Sequence, residues 1–269
     1  MRVIRLFVAA CLCLLLTSCI EINENVDIKD NGSGKVSTTT DLSQLVDMMQ
    51  AFGGDQMDKM KEEKVDTVIQ MKSIVDTSKT LTADQKALMR NGKVRLKMNL
   101  AEKVFNVNME FPFENMEKYQ QLNNLLNSSA GGMGNIMKEL MGGGSAAGLG
   151  STQKDTTQII DQPAQIPSAG MDQFTSVFDF NASNGLIKKT LNREKYNKMM
   201  EDPQVQQMKQ MSDMGMEMLY TTTYKLPRAV KKVDNPAAKL SDDKKTVTIR
   251  QNLLEIFTAP EKFEYTIQY

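Results

Sequence analysis

Apolar and polar positions along this chain fall into short alternating runs, separated by stretches with helical spacing. From residue 20, Ile20, Ile22, Val26 and Ile28 alternate, with one skip, against Glu21, Asn23, Asp27 and Lys29. The turn residues Asp30-Asn31-Gly32-Ser33-Gly34 follow, then Lys35 to Thr40, which together predict a β-hairpin. A second hairpin is expected where Val94, Leu96, Met98 and Leu100 are answered, after Ala101-Glu102-Lys103, by Phe105, Val107, Met109 and Phe111. A third joins Phe174, Val177, Phe178 and Phe180 through Asn184-Gly185 to Leu186–Leu191. The C-terminal part reads as sheet: Leu219 to Leu226, Ala238 to Leu240, Thr246 to Arg250 and Phe263 to Tyr269, with turns at Asn235-Pro236 and Ser241-Asp242-Asp243.

Helical spacing fills the intervals. Asp41 or Ser43 is positioned to cap a helix through Leu45, Val46, Met48 and Met49. Further helices are expected from Asp55 to about Asp76, from Thr82 to Met89 with Asn91-Gly92 closing it, and from Glu114 to Leu126. Asn192 should cap another that runs to about Met218, broken near Asp202 by Pro203. The fold class is therefore α+β, an antiparallel sheet built from several hairpins with intervening helices. Hairpins beginning near residues 20, 93 and 174 are compatible with a degenerate hairpin–helix repeat. Poor identity between the copies favours the plainer reading, an α+β domain whose helices simply follow hairpins.

Two stretches depart from this pattern. Residues 127–170 are rich in Gly, Ser and Gln and poor in large apolar side chains, which predicts a mobile insertion. Within it, Met133, Ile136, Met137, Leu140 and Met141 have the spacing of a small amphipathic helix. The other is the N-terminus. Arg2 and Arg5 precede an apolar run, Leu6 to Leu16, that is shorter than the roughly 20 residues needed to span a bilayer. The division that follows is a cleaved signal peptide at 1–18, a hairpin–helix region at 19–126, the insertion at 127–170, and at 171–269 a hairpin, a Met-rich helix and the closing sheet of the same domain.

Leu16-Thr17-Ser18-Cys19 ends the apolar run and resembles the lipobox of bacterial lipoproteins. The resemblance implies that the Cys19 thiol receives a diacylglycerol, that cleavage leaves Cys19 first, and that palmitate-type acyl chains anchor the protein to a membrane. Ile20 supplies no acidic retention signal, so by analogy the outer membrane is favoured over the inner. With Cys11 and Cys13 in the leader, a mature chain of this kind has no disulfide to form. A second resemblance rests on Tyr224-Lys225-Leu226-Pro227-Arg228-Ala229-Val230-Lys231-Lys232-Val233, then Asn235, Ala238-Lys239-Leu240 and Thr246-Val247-Thr248-Ile249. With the polar strand pair after Cys19, this run is similar to the closing strands of LppM-like bacterial lipoproteins, over residues 19–40 and 220–269. It implies a β-rich domain on an envelope membrane that holds a lipid or glycolipid. The long helical and Gly-rich middle departs from the compact form of that family.

Composition narrows the chemistry. The chain has 269 residues, with 33 basic and 33 acidic; without Arg2 and Arg5 the balance is 31 to 33, a charge of −2, which argues against nucleic acid as a partner. Histidine is absent, which removes the commonest general base and metal ligand, and Cys/His zinc sites with them. No Walker, dinucleotide or Gly-x-Ser-x-Gly signature is present. The acidic groups Glu62-Glu63, Asp242-Asp243 and Asp27-x-x-Asp30-Asn31-Gly32 lack the ligand spacing of a calcium loop and read as turns and solvated faces. Methionine is abundant at 21, crowding the last helix at Met199, Met200, Met208, Met211, Met214, Met216 and Met218. Thioethers at that spacing would suit Cu(I), but a core or an adaptable groove is the stronger reading.

No catalytic residue, metal site or cofactor is assigned. The expectation is a non-enzymatic, membrane-anchored envelope lipoprotein that binds an apolar ligand, a lipid or glycolipid. The alternative is an accessory subunit of an envelope protein complex, docking through the Met-rich helix.

Overall fold

A computed structural model describes residues 19–44, 46, 64–128, 173–213 and 217–269. Eight strands form one sheet: β1 (Cys19–Ile28), β2 (Gly34–Asp41), β3 (Lys64–Gln70), β4 (Lys93–Asn99), β5 (Val104–Phe113), β8 (Glu217–Lys225), β10 (Ala238–Leu240) and β11 (Thr246–Asn252). Their order is β10-β11-β8-β1-β2-β5-β4-β3. Four more, β6 (Phe178–Ser183), β7 (Leu186–Leu191), β9 (Lys232–Asp234) and β12 (Tyr265–Gln268), form a second sheet in the order β6-β7-β12-β9. The helices are α1 (Met71–Val75), α2 (Ala83–Met89), α3 (Met116–Leu126), α4 (Arg193–Met200) and α5 (Pro203–Asp213), with 3-10 turns at Leu253–Phe257 and Pro260–Phe263. The class is α+β. Among the described residues, no helix is long and apolar enough to cross a membrane.

Alternation in the sequence becomes two faces in the structure. On β5, Phe105, Val107, Met109, Phe111 and Phe113 are buried, while Asn106, Asn108 and Glu110 lie on the other face. The inner faces of the two sheets meet in one core. Tyr119 of α3 stands between them, its ring 4.9 Å from Phe113 and 5.3 Å edge-on from Phe180. Tyr224 and Tyr265 meet across the gap at 6.0 Å. Burying each such side chain contributes roughly 1.5–3 kcal/mol from transfer alone.

The three hairpins form where the turn residues place them. Gly32 and Gly185 adopt φ of +79° and +92°, the left-handed region their turns require. Caps follow the sequence as well. Thr82 and Gln85 make a reciprocal capping box on α2, Asn115 caps α3, and Asn192 accepts from the Lys195 amide at 3.1 Å to cap α4.

Five features differ from the sequence reading. Residues 64–70, expected inside a helix from Asp55 to Asp76, form edge strand β3, and among the described residues of that span 71–75 are helical, while 55–63 lie outside the described residues. Val65, Thr67 and Ile69 share one face there, and the β-branched run prefers the pleated geometry once β4 offers a partner. Phe174 lies in a helical turn rather than a strand, edge-on to Phe257 at 5.4 Å. The helix breaks at Pro203 as expected, but its second part runs Pro203–Asp213 and Met218, expected at its end, belongs to β8. The third hairpin sits in the smaller sheet while the first two share the larger one, so the three hairpins do not occupy equivalent places. Finally, β1 pairs with β8 in parallel, Cys19 opposite Glu217 through Asp27 opposite Lys225, inside an otherwise antiparallel sheet. The leader at 1–18, Glu62-Glu63 and nearly all of the 127–170 insertion lie outside the described residues.

Gly34 marks a close approach. A Cβ at this position would run into the Asp27 carbonyl oxygen and the Phe113 ring. Gly34→Ala is expected to lower the unfolding free energy by about 2–4 kcal/mol, read from the denaturant midpoint at unchanged slope.

Candidate functional site

The inner face of β1 reads Ile20, Ile22, Glu24, Val26, Ile28. The skip in the sequence alternation is therefore a carboxylate in an inward register, not a break in the strand. Its neighbours across the sheet are Thr38 of β2 and Thr222 of β8. Tyr220, on the same face of β8 and diagonal to it, donates its hydroxyl to Glu24 Oε2 at 3.1 Å. In the facing sheet, Lys189 shares the inward register with Ile187 and sits opposite Tyr265 of β12 and Phe180 of β6. The Lys189 ammonium lies 4.4 Å from the Phe178 ring centroid and 5.9 Å from that of Tyr265. A chain of hydroxyls runs beside it. Tyr119 donates to Tyr224 at 3.5 Å, and Tyr224 and Tyr265 bond at 2.7 Å.

Burial governs the proton affinities here. It raises Glu24 above the usual carboxylate range, with the nearby Lys189 charge and the Tyr220 hydrogen bond offsetting part of the rise. Burial likewise lowers Lys189 to about 8, with the Glu24 charge working the other way. Burial also pushes the hydroxyls of Tyr119, Tyr220, Tyr224 and Tyr265 well above their ordinary value, and the Glu24 charge adds to each. These phenols stay protonated and act as hydrogen-bond donors. Glu24 and Lys189 feel one another, yet no carboxylate among the described residues lies within 4.0 Å of the ammonium.

Glu24, Thr38, Tyr220, Gln251 and Lys189 all face inward, and all keep some accessible surface. Protein surrounds Glu24, Tyr220 and Lys189 closely enough for desolvation to dominate their titration. Side chains that are closely surrounded yet keep surface mark a place where solvent reaches between the sheets, a shallow recess beside these groups. The inward neighbours of Glu24 along its strand, Ile22 and Val26, are apolar, as are Ile187, Phe178 and Phe180 beside Lys189 on the other sheet. That combination suits an amphiphile: apolar contact over most of its length, with a few fixed polar groups at one end.

The residues singled out in the sequence are placed differently. Cys19 begins β1, with its backbone opposite Glu217. Met199, Met208 and Met218 are buried in the core and Met200 packs against it, so these thioethers fill apolar volume. Asp243 accepts from Ser241 Oγ and the Lys245 amide, and Asn31 accepts from Ser33, both as turn contacts. Among the described residues, no group of three or more His, Cys, Asp or Glu side chains is placed to hold a metal ion. Sequence reasoning missed Glu24 and Lys189. The skipped position in the first hairpin was the available signal for Glu24, and the parity of Ile187 was the one for Lys189.

Two pH effects follow. Glu24 binds its proton more tightly folded than unfolded, so its contribution to stability is present at low pH and lost as pH rises through its folded pKa. Glu24→Gln removes that loss. It should raise the thermal midpoint at pH 7 and do so less near pH 4, by differential scanning fluorimetry. Lys189 behaves oppositely, because its lowered pKa means stability grows as pH rises above about 8. Wild type should gain at most about 1–2 kcal/mol between pH 8 and about 9.5, a rise absent in Lys189→Met. Above pH ~10 both proteins should lose stability, because the unfolded chain releases tyrosine protons that the folded one retains.

No family model, no curated protein and no solved structure matches this chain.

Proposed function

We propose that this chain is a lipid-anchored protein of the cell envelope that holds an apolar ligand, a lipid or glycolipid, between its two sheets and performs no catalysis. The observation that carries this reading is the inward-facing, partly accessible wall around Glu24, Tyr220 and Lys189, set in an otherwise apolar interior. The polar groups of this wall are arranged for binding. Glu24 accepts from Tyr220, and Lys189 stands over aromatic rings, without the mutual contact that an acid–base pair needs. The lipobox-like run supports attachment through Cys19, and the outer membrane is the preferred location. The alternative, an accessory subunit that docks through a Met-rich helix, has less support because Met199 and Met208 point into the core.

Two measurements test this. Metabolic labelling with a radioactive fatty acid should mark the wild type and not Cys19→Ser, and the variant should move from the membrane fraction to the soluble one. Label retained by Cys19→Ser would overturn the anchor. Native mass spectrometry with lipid extraction, on residues 19–269 carrying Cys19→Ser, should show a co-purifying apolar mass. A clean apo mass, with no uptake of added lipid, would overturn the ligand-binding reading.

A further inference from the structure

Hydrogen bonding around Lys189 is unbalanced. Tyr119, Tyr224 and Tyr265 bring three hydroxyl protons and make two bonds among themselves. Whichever way the Tyr224–Tyr265 bond points, one proton is left over. Lys189 adds an ammonium that lies over the rings of Phe178 and Tyr265. Among the described residues, no acceptor lies within 3.5 Å of that ammonium. The nearest carboxylate by electrostatic influence, Glu24, is engaged by Tyr220. The recess therefore holds a cation and a spare hydroxyl donor with no protein acceptor for either. The Lys189 ammonium keeps contact with solvent, and an acceptor that replaces water there, best a charged one, would meet the cation and the spare hydroxyl together.

We propose that the recess takes a long-chain carboxylate, with the carboxylate on the Lys189 ammonium and the tyrosine hydroxyl chain and the alkyl tail along the inner aromatic and aliphatic faces. This rests on the ligand-binding reading above and specifies the head group. A single negative charge is preferred over a doubly charged phosphate. Glu24 lies within electrostatic reach of Lys189, and a second charge on the ligand would meet it uncompensated. Phe178 and Phe180, buried on the face of the small sheet that carries Lys189, supply the apolar surface beside the head group. Ligand entry replaces the Coulombic attraction of Glu24 for Lys189 with a direct contact, so Glu24 opposes the anion. Its removal should help binding.

The test is equilibrium binding of three probes of equal chain length, a fatty acid, the matching fatty alcohol and the matching alkyl phosphate, to residues 19–269 with Cys19→Ser at pH 7, where Lys189 is mostly charged. The acid should bind about tenfold to a hundredfold more tightly than the alcohol, as a charge-assisted contact requires. That ratio should fall towards one in Lys189→Met, drop part of the way in Tyr265→Phe, and rise in Glu24→Gln. The opposite signs for Lys189 and Glu24 separate a head-group contact from general loosening of the fold. Equal affinity for acid and alcohol would overturn the carboxylate assignment and leave the apolar-ligand reading standing. Tighter binding of the alkyl phosphate would overturn the choice of head group. Binding of none of the three would overturn both readings and assign the spare donors to water.

Discussion

Strand β1 has partners on both edges, β2 on one side and β8 on the other, and the parallel ladder to β8 is what joins the two ends of the chain into one sheet. The Tyr220–Glu24 hydrogen bond spans 196 positions in sequence. Forming that ladder closes a very long loop, an entropic cost that only the completed core can offset. Much follows from this pairing. It sets the register that puts Tyr220 diagonal to Glu24, and it extends the sheet through β11 and β10. Without it the N-terminal hairpins and the C-terminal strands would be separate pieces, each covering only part of the core between the two sheets.

The same register places a carboxylate where an aliphatic side chain would be cheaper. Val or Ile at position 24 would continue the run of Ile20, Ile22, Val26 and Ile28 and bury apolar area without a desolvation cost. Glu24 instead requires a donor from Tyr220 and a distant cation at Lys189, and the cation in turn lies against aromatic rings. One polar choice on one strand thus explains an arrangement drawn from both sheets. Local rules that fail in otherwise regular elements tend to mark functional positions, and this one sits in the recess.

The hairpins, their turns and the Asn192 cap were legible because their signals are local. Asn184-Gly185, Asn192, Pro203 and the alternation on β4 and β5 each act within a few residues. Edge strand β3 was not, because Met57, Met60, Val65, Val68 and Met71 also satisfy a helical spacing and only pairing with β4 decides between the two. Splitting the strands into two sheets and running β8 parallel to β1 depend on contacts between distant segments, which no window of sequence contains. The candidate site divides in the same way. Glu24 left a trace as the skipped position, whereas its meeting with Tyr220, Lys189 and the tyrosine chain required the assembled sheets. Cys19 enters as a candidate through the lipobox resemblance alone, a property of the sequence on which the packing of the sheets has no bearing.

The double-sided pairing of β1 has a mechanical consequence. If the acyl chains are attached at Cys19, any force that pulls the protein against its membrane enters the fold at the first residue of β1 and runs along that strand. The ladders to β2 and β8 lie parallel to the load, so they resist by sliding, many bonds at once, rather than opening one bond at a time from an end. Removing a strand held this way means breaking both ladders together. Acyl chains attached there would be fastened to a strand held along both of its edges.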